Sequence, residues 1–413
     1  MALTHTNVDS SSVANQPTAQ TTPAAETLLV SITSLPAEAL EPTLTNLALA
    51  FREKPSSHSV LVAIPNTHPI ASDATFGSLR LVPYAPATPV SINPFLTAAD
   101  YLNAFRLAQD HQATTCILLG AECHSLSPIV IRAIATALFE STVDLAVPRY
   151  QLGPNEGLVN SAILYPVTRA LFAVRPRFPL AIDYGLSIRM LERLATAAQR
   201  IASTNQEEAI LWPLAEAASA NLIVTEIDGG TRALPHPAAT NLNALLAQVA
   251  GSLFADVDAK ATFWQRARGS HSTHPNNLGQ LPPEGWPDVT PMLEAFRLAY
   301  TNLAEIWSLV MTPNSLLGLK RLAASPLASF RMPDALWARI VYDFILAYRL
   351  RTINRGHLLG ALTPLYLAWV ASHIILADSG IAPEVHIEDQ ALAFENDKPY
   401  LVSRWRWPDR FNP

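Results

Sequence analysis

The sequence predicts an α/β protein: a mainly parallel sheet with helices on both faces, followed by a helical C-terminal domain. Three observations carry that expectation. Short apolar runs alternate with amphipathic helical stretches through the N-terminal half. Polar residues or turn formers stop each run. Beyond residue 241 only helical periodicities remain.

In chain order, Leu28-Leu29-Val30-Ser31-Ile32 reads as a strand. A helix over residues 36–54 follows, with Leu40, Leu44, Leu47 and Phe51 at helical spacing. Val60-Leu61-Val62-Ala63-Ile64 is a second strand, stopped by Pro65-Asn66, and Leu79-Arg80-Leu81-Val82-Pro83 a third. Residues 98–111 form a helix whose apolar side carries Tyr101, Leu102, Phe105 and Leu107. It feeds the strand Cys116-Ile117-Leu118-Leu119, bounded by Gly120. A helix starts at Ser127, another apolar run spans residues 143–150, and Ile182-Asp183-Tyr184-Gly185-Leu186-Ser187 leads into a helix ending near Ala202. Residues 221–228 give the last strand, broken by Gly229-Gly230. Helices are then expected over 242–254, 289–310, 336–350 and 358–376, with a long mobile loop over 268–287.

The expected domains are a disordered tail over 1–25, a ligand-binding α/β domain over 26–237 and a helical domain over 238–399. A Trp/Arg-rich docking tail over 400–413, with Arg404, Trp405, Arg406, Trp407 and Arg410, completes the chain. A length of 413 residues favours two domains over one core, and a hydrophobic content of 49% supplies ample material to bury.

Composition excludes several classes. A net charge of −6 with no basic stripe argues against a nucleic-acid partner. Cys116 and Cys123 are too few for a disulfide framework and read as structural thiols in a reducing, cytoplasmic compartment. The first 25 residues lack the cationic start and apolar core of a signal peptide. Residues 358–377 are apolar enough to raise the question of a membrane span. Pro364, His373 and the adjoining Asp378 favour a buried helix, so membrane association is not expected. The apolar C-terminal helices offer a homodimer surface. No Gly-x-Gly-x-x-Gly and no P-loop is present, which leaves a dinucleotide oxidoreductase or an NTPase without a motif.

Ligands of open α/β sheets sit beyond the carboxyl ends of the strands. Glu122, Arg149 and Asp183 are therefore expected to face one cleft. Each has a plainer reading: Glu122 as a solvated strand-end residue, Arg149 in a structural ion pair, and Asp183 as the cap of the following helix, a role Ser187 could equally fill. His271-x-x-His274 lacks a third ligand and reads as loop.

The order and spacing of four segments resemble a known family. These are Asp144-Leu145-Ala146-Val147-Pro148-Arg149-Tyr150, Asn155-Glu156-Gly157, Leu164-Tyr165-Pro166 and Asp183-Tyr184-Gly185-Leu186-Ser187. Together they resemble the retaining glycosyltransferases that make mannosylglycerate and glucosylglycerate, enzymes of the GT-A fold. The resemblance extends thinly over residues 26–380. It implies a metal-assisted hexosyltransferase moving a sugar from GDP-mannose, or from UDP- or GDP-glucose, to a small anionic hydroxy acid such as glycerate, with anomeric retention. It also implies a divalent cation, Mg or Mn, held by Glu122 and His236. By the same resemblance Asp183 positions the sugar or acceptor, and Arg149 with Tyr150 meets the diphosphate or an anionic acceptor. Glu38 falls near the acidic position of the nucleotide loop, and Arg232 at the basic position after the last strand. The chain departs from the family pattern at Gly120, where the first acid of the metal motif is expected, at Ile182 in place of a glycine, and in the first loop. Those departures define the competing reading: a catalytically degenerate relative acting as a binding or scaffold protein.

Overall fold

The computed structural model describes residues 26–52, 58–67, 74–86, 95–139, 142–202, 209–233, 242–268 and 285–408. The expected N-terminal tail, His236, and the His271 and His274 pair lie outside them.

The strands are β1 (Glu26–Ile32), β2 (His58–Pro65), β3 (Thr75–Phe76), β4 (Leu79–Tyr84), β5 (Thr115–Leu119), β6 (Leu145–Gln151), β7 (Asp183–Ser187) and β8 (Val224–Thr231). They form one sheet in the order β3-β4-β2-β1-β5-β7-β6-β8. Pairings of β1 with β2 and β5, of β2 with β4, and of β6 with β8 are parallel. Those of β3 with β4 and of β7 with both neighbours are antiparallel. The sheet is therefore mixed. Among the described strands only β3 and β7 run against the other six, and the inserted β7 matters for the site. Because β7 runs backwards, its first residue, Asp183, lies opposite Leu119 at the carboxyl edge of β5.

Strand residues are buried on both faces because helices cover both. On one face α1 (Leu40–Ala50) and α3 (Pro128–Phe139) pack on Val30, Val62, Ile117 and Ala146. On the other, α2 (Ala98–Asp110) and α5 (Ile188–Ala202) pack on Leu29, Ala63, Leu118 and Val147. Gly185 permits close approach of α3, since a Cβ there would stand 2.6 Å from Ile134 Cγ2. The remaining helices are α4 (Tyr165–Phe172), α6 (Pro213–Ser219), α7 (Leu242–Ala259), α8 (Ala261–Trp264), α9 (Thr290–Asn302), α10 (Ala304–Val310), α11 (Pro313–Ala323), α12 (Asp334–Leu350), α13 (Arg355–Asp378) and α14 (Pro383–Arg406).

Several boundaries differ from the sequence expectation. Residues 36–54 divide into a 3-10 turn, Ala37–Ala39, and the shorter α1. The stretch 289–310 breaks at Leu303, whose φ of −110° and ψ of 9° leave the helical region. Residues 400–406 are the last turns of α14 rather than a separate tail, and Trp405 is buried. The helical core also recruits Ile163, Leu171, Ile210 and Trp212, so chain N-terminal to residue 237 packs into it. Among the described residues one helix, α13, is long and apolar enough to cross a membrane; 78% of its most apolar window is buried inside the protein.

Candidate functional site at the carboxyl edge

Three of the expected residues, Tyr150, Asp183 and Arg232, meet in one buried node. Asp183 receives four donors: Tyr150 Oη at 2.9 Å, the Gly120 amide at 3.3 Å, and Arg232 through Nε at 2.9 Å and Nη2 at 3.2 Å. Neither the Asp183 nor the Arg232 side chain is exposed to solvent. The rest of the guanidinium is committed to Ala121 O at 2.7 Å, Glu122 O at 2.6 Å, Ser125 Oγ at 3.0 Å and Ala233 O at 2.9 Å. Burial works against the charge of Arg232, and the Asp183 carboxylate outweighs it, holding the guanidinium protonated. Burial, reinforced by the negative charge of Asp183, keeps the Tyr150 phenol far above its ordinary range.

The sequence explains how these groups converge. A register shift in the β6–β8 pairing between Arg149 and Gln151 departs from strict alternation, and Arg149 and Tyr150 line one cleft. Helix capping falls to Ser187, whose Oγ accepts the Met190 amide at 3.2 Å, which releases Asp183 for the node.

The side chains of the remaining candidates sit apart from it. Glu38 is exposed on the turn after β1. Arg149 lies 3.9 Å from Glu226 Oε1 and 3.5 Å from Glu384 Oε2, so its charge is already met by carboxylates. Glu122 adopts a left-handed backbone, φ 59°, and its carboxylate lies 3.7 Å from His124 Nδ1. Holding a non-glycine residue there costs about 1 kcal/mol.

Among the described residues, those at this edge do not fit the divalent cation that the resemblance implies; His236, the second expected ligand, lies outside them. Gly120 stands where the first acid is expected, and a Cβ at that position would stand 2.5 Å from the Ile182 carbonyl oxygen. The strand crossing itself therefore excludes an aspartate. Asp183 is saturated, and Arg232 is spent on it and on Ser125 and the backbone carbonyls of Ala121, Glu122 and Ala233. Among the described residues no three His, Cys, Asp or Glu side chains converge to hold a metal. The Cys123 thiol beside this node is pushed up to about 12 by burial and stays protonated.

Sequence reasoning missed Arg177, Glu226, Glu384 and Ser125. Arg177 binds Glu384 through Nε and Nη2, both at 3.1 Å, tying the sheet edge to α14. No local pattern marks these residues, because their partners lie far away in sequence.

No known protein family matches the sequence, and no curated protein matches it. Solved structures of glucosyl-3-phosphoglycerate synthase from Mycobacterium tuberculosis are similar at low identity. One, in complex with Mn2+, UDP-glucose and glycerol 3-phosphate, is 14% identical over 56% of this chain and 80% of that chain, with a TM-score of 0.36. Another, in complex with UDP, is 13% identical over the same shares with the same TM-score. A third, with Mn2+, UDP-glucose and phosphoglyceric acid, covers 63% of this chain and 88% of that chain at 13% identity and a TM-score of 0.36. Likeness at this level leaves function to be read from the chain's own residues.

Proposed function

We propose that the protein is a nucleotide-sugar-binding protein of the glycosyltransferase type in which the buried Asp183–Arg232 pair occupies the place of a divalent-cation site and binding proceeds without the cation. The motif resemblance in the sequence supports the ligand class, a nucleotide-diphosphate hexose such as GDP-mannose or UDP- or GDP-glucose. The observation that carries the cation-independent form is the saturated Asp183–Arg232 pair, fully buried beneath the carbonyls of Ala121 and Glu122. The pair is charge-neutral and leaves Arg232 no free donor, so it holds the sheet edge in shape where a metal site would otherwise stand. In this reading transfer of the hexose goes to a small hydroxyl-bearing acceptor.

The same saturation favours a second reading. With no free lone-pair direction left toward a ligand, Asp183 cannot act as a base or orient a sugar from its present position, so the chain would bind without turnover. Calorimetric titration with GDP and UDP, each with and without Mn2+, tests both. Binding of one nucleotide, unchanged by Mn2+ and accompanied by release of sugar from the matching donor, supports the transferase. Binding without release supports the non-catalytic reading. No binding of either nucleotide sinks the nucleotide-sugar assignment.

A further inference from the structure

A second polar construction lies between the end of β6 and the helical layer. Asp334 at the start of α12, His386 on α14 and His373 on α13 form a linear chain. His386 Nε2 lies 3.1 Å from Asp334 Oδ1, and the Nδ1 atoms of His386 and His373 are 2.7 Å apart. Two facing Nδ1 atoms share one proton. With Nε2–H of His386 donating to Asp334, a neutral His386 presents Nδ1 as an acceptor, and His373 donates its Nδ1–H. The Nε2 of His373 is thereby left as a bare lone pair. Trp369 stacks on both imidazoles, with centroids 5.2 Å and 5.9 Å away, and fixes the ring planes. Burial, then the neighbouring His386, pushes His373 down to about 3, so it stays neutral at physiological pH.

His373 Nε2 is buried and has no hydrogen-bond partner among the described residues, and the same is true of Arg177 Nη1. Both residues are more than nine-tenths buried, and both line a small open-mouthed cleft, about 40 Å³ in volume, that lies beside Arg149, Tyr150 and Ser161. That room admits a few hydroxyl-sized groups, with the rest of a ligand reaching out through the mouth. The charges around it do not favour an anion. Arg149 and Arg177 are opposed by Glu156, Glu226 and Glu384, three carboxylates against two cations. Among the described residues lining it, the buried atoms left without a partner are one acceptor and one donor, and a hydroxyl group complements both.

We infer that this cleft binds a neutral polyhydroxylic ligand, a polyol or sugar, with one hydroxyl donating to His373 Nε2 and the same or a neighbouring oxygen accepting from Arg177 Nη1. Assigning that ligand as the acceptor of a transferase rests on the function proposed above; its binding does not.

The test uses the full chain, labelled with 15N at histidine and free of nucleotide. Long-range proton–nitrogen correlations of His373 are followed during titration with glycerol, methyl α-D-glucopyranoside and, as an anionic comparator, lactate. The expected result is an unprotonated Nε2 in the free protein that shifts saturably with at least one neutral ligand and not with lactate. Removing the acceptor in His373→Phe should weaken binding of that ligand about tenfold, the loss of one hydrogen bond. A protonated Nε2, no saturable shift with either neutral ligand, or a lactate response as large as theirs overturns the inference. The spectra of the unmodified chain decide it even if the variant does not fold. Polyol binding in a protein that binds no nucleotide would leave this site standing and remove the transferase reading.

Discussion

Asp183 Oδ2 accepts from Arg232 Nε at 2.9 Å with neither side chain exposed, and this pair joins β7 to the segment that follows β8. Replacing one partner of such a pair leaves an uncompensated buried charge. Arg232→Met should destabilise the protein by about 3–5 kcal/mol in urea unfolding. The double variant Asp183→Asn with Arg232→Met should recover part of that loss, because the stranded carboxylate is gone. A single variant within about 1 kcal/mol of wild type would mean the carboxylate finds water or another partner, and the node would not be structural.

Gly120 supplies the second prediction. Restoring the missing acid with Gly120→Asp should not create a metal site, because its Cβ would stand 2.5 Å from Ile182 O, a backbone atom that cannot move without breaking the 2.8 Å bond from the Gly120 amide. The expected outcome is a stability loss of about 1–3 kcal/mol and no gain in Mn2+ affinity by calorimetry. Tight Mn2+ binding by this variant would show that the edge can open, and the cation-independent reading would fall.

The apolar skeleton was legible in the sequence because its strands are buried on both faces, as in Cys116-Ile117-Leu118-Leu119, and its early helices are amphipathic. The direction of β7 was not, since the buried run Asp183–Leu186 looks the same read either way. Helix α14 was hidden for another reason: its buried residues, among them His386, Gln390, Phe394 and Leu401, are few and partly polar, and Pro399 lies inside it. Arg232 was recognisable as a basic residue after the last strand. That it turns inward to Asp183 depends on the strand order, which local patterns do not encode. The Glu122 and His236 metal pair was drawn from resemblance; Glu122 faces His124, and His236 lies outside the described residues.

Among the described residues, Asp343 is one of two buried carboxylates, with Asp256, that burial raises to about 6 and that make stability depend on pH. Its carboxylate is held by Tyr400 and by Arg404 at 2.7 Å, yet burial outweighs both and raises it from 3.8 to about 6. The folded state therefore binds a proton that the unfolded chain has lost between those values. Stability from this group is full below about pH 4 and declines as pH rises through about 6, by about 2–3 kcal/mol. Asp343→Asn should make the decline in Tm across pH 4–7 shallower, leaving the share that Asp256 contributes. A variant curve parallel to wild type would assign the dependence to other groups.

Trp405 tests the last turns of α14. Its ring meets Trp264 edge-on at 5.0 Å, Arg349 stacks 4.1 Å above it, and Arg349 Nη1 donates to the Trp405 carbonyl at 2.8 Å. Two residues on, Trp407 is 60% exposed. If residues 400–406 belong to the core, Trp405→Ala should cost about 3–5 kcal/mol, the range for a buried aromatic. Trp407→Ala should stay within about 0.5 kcal/mol of wild type, as exposed substitutions do. Equal and small effects would return this segment to the docking tail that its Trp/Arg composition suggests. Unequal effects, with Trp405 dominant, make it the element that ties α8 to α12, since its partners Trp264 and Arg349 lie in those helices.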